Sequence, residues 1–248
     1  MKGYLVSELN YLEVEEVLKL DPVIVLPIGG AAKEHGLHLP CGTDYYIVEK
    51  IAQEIRKNEQ ILQLPTLQYG YYPAFIEWAG SISIDSDTFI QLVENILKPF
   101  INRGVKKFLI LDIGVSTQPP LKLVSSRLHE AYGVHVAVTD FGAIWNVVRK
   151  ELLIQTPGGH GDEVETALML AINPSLVRMN QAYEEYNRSA VSLTYKDAKI
   201  IHMSKKMKTE HGINGNPILA TKEKGDQIIQ RSVDIVLSFL REFKLQKL

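Results

Sequence analysis

The chain has 248 residues, 46% of them apolar and 23% charged, with a formal net charge of −2. That is ordinary globular usage, large enough for a full core without disulfide or metal staples, and it reads as one domain over 1–248. No basic block suits nucleic acid, no apolar run suits a membrane, and the lone Cys41, with an N-terminus lacking a signal-like apolar stretch, points to a reducing cytoplasm.

In chain order, Asn10 and Glu13 have capping-box spacing before a first helix. "PVIVLPIGG" (22–30) reads as a buried strand closed by glycines. "TDYYIVEKIAQEIRKN" (43–58) has helical periodicity from a Thr43 cap, and "ILQLP" (61–65) is a short strand. Residues 66–80 form an aromatic loop, "SISI" (81–84) a short strand, and 85–104 a helix ending at Gly104. "VKKFLILDIG" (105–114) is the strongest strand. Residues 119–133 open with proline and close with glycine, as helices prefer. A strand over 134–142 and a helix over 143–153 follow. "HGDEVETALMLAI" (160–172) is a loop entering a helix. Residues 176–217 are irregular, with a strand at "AKIIHM" (198–203). An amphipathic helix covers 222–243.

Strands alternate with helices, which predicts an α/β fold with a mostly parallel sheet covered on both faces. Ligands then lie beyond the carboxyl ends of the strands. The turns "GGAAKEHG" and "IGVSTQPP" both fall on that rim.

"EHGLHLPCGTD" (34–44) packs Glu34, His35, His38 and Asp44 into one turn, in a chain with seven histidines. Imidazole and carboxylate are the donors that zinc, manganese and iron(II) take. The plain alternative is a helix cap with surface histidines. A second cluster holds His160, Asp162, Glu163 and Glu165. Asp162 and Glu163 suit the first turn of a helix through its dipole. Glu165 precedes an apolar run and turns inward, where a carboxylate needs a partner. There is no phosphate loop, dinucleotide fingerprint or serine nucleophile elbow.

With these residues in view, the sequence resembles the creatininase family. That family's signature is Pro-x-Gly, then Glu-x-His-Gly-x-His-Leu-Pro-x-x-Thr-Asp; "LPIGG" and "HGLHLPCGTD" match it. "SISIDSDTF", "HGDEVETALML" and "GNPILATKEKGDQII" also look like the family. The resemblance implies a three-layer α/β/α sandwich, often in homo-oligomers. It implies one or two divalent ions, zinc ahead of manganese or iron(II), and hydrolysis of a C–N bond in a small cyclic or linear amide by a metal-activated water.

His35 and Asp44 match two ligand positions, Asp44 bridging where two ions bind. Two departures stand out. Lys33 occupies the family's glutamate position, with Glu34 one residue later, and Val115 and Thr117 occupy later ligand positions. The expected site is therefore an ion held by Glu34 or His35, Asp44 and Glu165. His160 or Glu163 would carry the proton to the leaving nitrogen. Ser116 and Thr117 would hydrogen-bond substrate or water, and Tyr71 and Trp78, with Tyr69, Tyr72 and Trp145, would wall the pocket. The competing reading is a non-catalytic descendant that binds a small ligand or partner after losing part of the site; Lys33 and Val115 favour it, and the retained ionisable groups favour the enzyme.

Overall fold

A run such as VIVLPI is buried on both sides only inside a parallel sheet with both faces covered. A computed structural model describes residues 3–155, 158–186 and 209–246. Its strands are β1 (Tyr4–Leu5), β2 (Val23–Ile28), β3 (Ile61–Gln63), β4 (Lys107–Asp112) and β5 (His135–Val138). They pair in parallel in the order β1-β3-β2-β4-β5, with every residue of β2 buried. The β2–β4 register runs from Ile24 opposite Phe108 to Ile28 opposite Asp112.

Alternate side chains on a strand point to opposite faces. Val23, Val25, Leu109 and Leu111 enter one core; Ile24, Leu26, Ile28, Phe108 and Ile110 enter the other. Helices α2 (Thr43–Asn58), α5 (Phe141–Leu152), α6 (Glu163–Ile172) and α7 (Lys222–Leu245) cover the first face. Helices α1 (Tyr11–Leu18), α3 (Ser86–Ile101) and α4 (Gln118–Tyr132) cover the second. This is the expected three-layer α/β/α sandwich. Among the described residues, no helix is long and apolar enough to cross a membrane.

Local chemistry sets the helix ends. Asn10 Oδ1 accepts from the amides of Leu12 and Glu13, and Glu13 Oε2 accepts from the Asn10 amide, so the capping box is complete. Thr43 is not a cap. Its hydroxyl donates to the Pro40 carbonyl at 2.7 Å, and α2 begins at Thr43 itself, with Gly42 before it. Asp44 thus falls in the first turn, where the helix dipole favours a carboxylate. Asp162 caps α6 by accepting from the amides of Val164 and Glu165.

One strand expectation changes. Residues 81–84 form no strand: Ile82 and Ile84 each give one amide to a different loop, Ala32 and Gly70, so no ladder can form. The two-residue edge strand β1 is too short to show a period in sequence. The strand expected at 198–203 lies outside the described residues.

From β2 the chain continues to β3 on one side of the sheet. From β4 it continues to β5 on the other. The carboxyl ends of β2 and β4 therefore flank a topological switch point, where such sheets hold their ligands.

Helices α6 and α7 approach unusually closely. A Cβ placed on Gly225 would lie 1.9 Å from the Ala167 carbonyl oxygen. Gly225→Ala must therefore push the helices apart. We expect a net loss of about 1–3 kcal/mol from overpacking, despite a helix-propensity gain of about 1 kcal/mol. A urea melt reads it as a lower midpoint at unchanged slope. An unchanged midpoint would show that the helices separate without cost.

Candidate metal centre

The loop from β2 to α2 doubles back. The Lys33 amide donates to the Cys41 carbonyl at 3.0 Å, and Gly36 takes φ 80°, a left-handed value that glycine adopts freely. Lys33, Glu34, His35 and His38 are thereby gathered at the N-terminus of α2 beside Asp44. All five are buried. The loop before α6 brings His160, and the first turn of α6 brings Glu165 and Thr166, buried as well.

The two imidazoles are each pinned by an outer acceptor and present opposite ring nitrogens inward. His35 Nδ1 lies 2.8 Å from the Lys33 carbonyl oxygen. A carbonyl only accepts, so Nδ1 carries the proton and Nε2 turns inward. His160 Nε2 lies 3.1 Å from Glu34 Oε2, which turns Nδ1 inward. Both inward nitrogens face Glu165, at 4.0 Å from His35 Nε2 and 3.9 Å from His160 Nδ1. The donor atoms of His35, His160 and Glu165 all lie within 4.8 Å of one another.

His35 Nε2 also sits 2.8 Å from Asp44 Oδ1. An unprotonated nitrogen and a carboxylate oxygen at that distance repel unless a cation joins them, either a proton or a metal ion. Burial alone would lower the pKa of His35, but the Asp44 and Glu165 carboxylates outweigh it and hold the ring above its ordinary value. Two inward imidazoles, two carboxylates and outer ring nitrogens pinned by acceptors are the donor set and the supporting layer of a divalent-ion site. The residues fit the group.

Lys33 also belongs to this cluster, although in sequence it reads as a lost ligand. Its side chain is 8% exposed, with Nζ 2.5 Å from Asp44 Oδ2. The ring centroids of Phe75 and Tyr72 lie 4.9 and 5.4 Å from that ammonium. Burial works against the charge; Asp44, Glu165 and Glu34 outweigh it and keep the lysine protonated. Burial likewise opposes ionisation of Asp44, yet Lys33 and His35 hold its carboxyl well below the usual range. Glu34 accepts from the Gly36 amide through Oε1, and burial pushes its pKa up to about 7. His38 Nε2 meets Thr166 Oγ1 at 2.8 Å and ties the loop to α6; burial lowers its pKa to about 4, so the ring is neutral at physiological pH.

Other expected site residues lie elsewhere. The Glu163 carboxylate is taken up by the amides of Ile154 and Gln155 and by the Lys224 ammonium, so it anchors α6 to α7. Thr117 is fully buried and donates to Asp112 Oδ2 at 2.7 Å, which corrects its expected substrate role. Ser116 is half-buried on the same turn, and Val115 is 79% exposed. Tyr71 packs against the second core, Tyr69 is largely exposed, and Trp145 sits in the first core against Phe141. Trp78 is half-buried, its amide bonded to the Phe75 carbonyl. The walls at the cluster itself are Tyr72 and Phe75; Phe75 gave no sequence signal beyond belonging to an aromatic loop.

At the carboxyl end of β4, Asp112 is fully buried and accepts from Thr117 and Gln118. Burial still pushes its pKa up to about 7. The folded value lies above the unfolded one, so this group's contribution to stability is full below about pH 4 and lost as pH rises through 7. Urea melts at pH 5 and pH 8 should show a loss on the order of 3 kcal/mol from this group, absent in Asp112→Asn. The same pH dependence in the variant would refute the assignment.

Known proteins resemble this chain in sequence and fold. The family model described as creatinine amidohydrolase matches residues 7–240. The creatinine amidohydrolase of Pseudomonas putida is 24% identical, with 97% of each chain covered. A solved structure from Bacteroides fragilis, described as a creatinine amidohydrolase, superposes with a TM-score of 0.84 at 25% identity, covering 100% of this chain and 99% of that one. A mutant creatininase of Zn–Zn type gives a TM-score of 0.77 at 23% identity, with 98% of both chains covered. On the strength of a family match that spans nearly its whole length, the chain belongs to the creatininase family.

Proposed function

We propose that this chain is a metal-dependent amidohydrolase that cleaves a C–N bond in a small cyclic or linear amide. The observation that carries this reading is the pair of pinned histidines, His35 and His160, turned toward Glu165. These three residues, with Asp44, would hold the ion; zinc comes first and manganese second. The activity named for the Pseudomonas putida relative and the metals named for the solved creatininase support the class. Both halves of the centre rest on one sheet, which supports reading 1–248 as a single domain.

When bound, such an ion lowers the pKa of a coordinated water toward neutrality and polarises an amide carbonyl. The chain supplies the rest. The Lys33 carbonyl holds His35 as its Nδ1–H tautomer, and Glu34 holds His160 as its Nε2–H tautomer. Glu34 is the carboxyl placed to hold a proton beside the reacting bond and pass it to the departing nitrogen. That role moves from His160 and Glu163 to Glu34, because His160 turns inward and Glu163 is committed to Lys224. Tyr72 and Phe75 keep water from the Lys33 side of the cluster.

The test begins with metal content of protein purified without a metal-affinity tag, followed by amine release from a panel of small amides before and after chelation. At least one transition-metal ion per chain and metal-dependent turnover are expected. Glu165→Ala should weaken metal binding by more than the ~10–100-fold that losing an outer partner costs. Glu34→Gln should keep its metal while kcat falls about 10²–10⁴-fold. No binding after incubation with zinc, manganese and iron(II) would overturn the reading.

A further inference from the structure

We propose that the Lys33 ammonium is itself one of the cations of this centre, so that the chain takes a single divalent ion and excludes a second. The inference rests on the metal reading above and adds a residue that sets the stoichiometry.

Asp44 spans two positions. Oδ1 faces His35 Nε2 at 2.8 Å, on the side of the inward donors. Oδ2 faces Lys33 Nζ at 2.5 Å. A metal ion on the Lys33 side of Oδ2 would sit at about 2.0–2.2 Å from that oxygen, and the ammonium nitrogen, 2.5 Å from it, already fills that side. Two cations cannot share that place.

Lys33 also has no easy way out. Its side chain is buried, with Tyr72 and Phe75 alongside the ammonium. Its amide is bonded to Cys41, and its carbonyl holds His35 Nδ1. With the backbone so fixed, the ammonium can leave only by turning its own side chain past those rings.

Charge balance agrees. Glu34, Asp44 and Glu165 are the buried carboxylates of the cluster. Even with all three ionised, the greatest negative charge they can carry, one lysine and one divalent ion neutralise them. A second divalent ion would leave a buried excess of positive charge, which a low-dielectric site disfavours strongly. Lys33 is thus a positioning residue: it fixes Asp44 and supplies a charge that no chelator removes.

The experiment is a manganese titration of the full chain. Bound metal is counted after gel filtration, and the spin state is read by electron paramagnetic resonance. Wild type should saturate at about one ion per chain with the spectrum of an isolated Mn(II), and Lys33→Glu, which replaces the ammonium with a carboxylate, should reach about two with an exchange-coupled spectrum. Two coupled ions in wild type would overturn the proposal, and that measurement stands even if the variant does not fold. A folded Lys33→Glu chain that still takes one ion would also overturn it. No ion in either protein would instead bring down the amidohydrolase reading, and this inference with it.

Discussion

The centre depends on one carboxylate kept dry between two basic groups. Asp44 is 3% exposed and touches Lys33 through one oxygen and His35 through the other. Removing one partner from a buried pair typically costs about 3–5 kcal/mol, because the other charge is left stranded. The loop, the first turn of α2 and the histidine therefore hold together as a unit. The helix dipole adds a favourable field at Asp44's position, and the packing of α2 on the sheet fixes where that field points.

The rest of the architecture serves to bring a second chain segment to that unit. The parallel sheet puts the ends of β2 and β4 side by side, and α6 crosses the same face as α2. His160 and Glu165 then arrive from the opposite wall. His38 and Thr166 join the two segments below the donors, and Glu163 with Lys224 fixes α6 from behind. None of these contacts needs to touch a substrate. Each limits how far the donors can drift, and catalytic geometry is sensitive to drift of about 1 Å.

Much of this was legible in sequence, for physical reasons that can be named. The strand–helix alternation and the doubly buried β2 reveal the layers. The density of His35, His38, Asp44, His160 and Glu165 marks the centre, since few soluble chains bury such groups without a use. What sequence hid was direction. Glu163 and Glu165 are two residues apart on α6, so they point to nearly opposite sides; the apolar run after Glu165 turns it inward in sequence, but only the structure shows Glu163 buried as well, against Lys224. Thr43 has the chemistry of a cap but spends its hydroxyl on Pro40. Lys33 looked like damage because a lysine is normally a surface group; its burial depends on Asp44, Tyr72 and Phe75 meeting around it, and no local pattern encodes that meeting.

His160 and Glu34 touch across 126 residues of chain, and His38 and Thr166 across 128. During synthesis the first half of the centre is therefore complete long before the second exists. Bringing such distant segments together costs roughly 4 kcal/mol of loop-closure entropy. An ion gripped from both sides would hold that loop shut, so the occupied chain should open less often and give proteases less to cut than the empty one. The same atoms that define the chemistry would then act as a clasp on the polypeptide, and the metal supply in the cell would help set how long each copy survives.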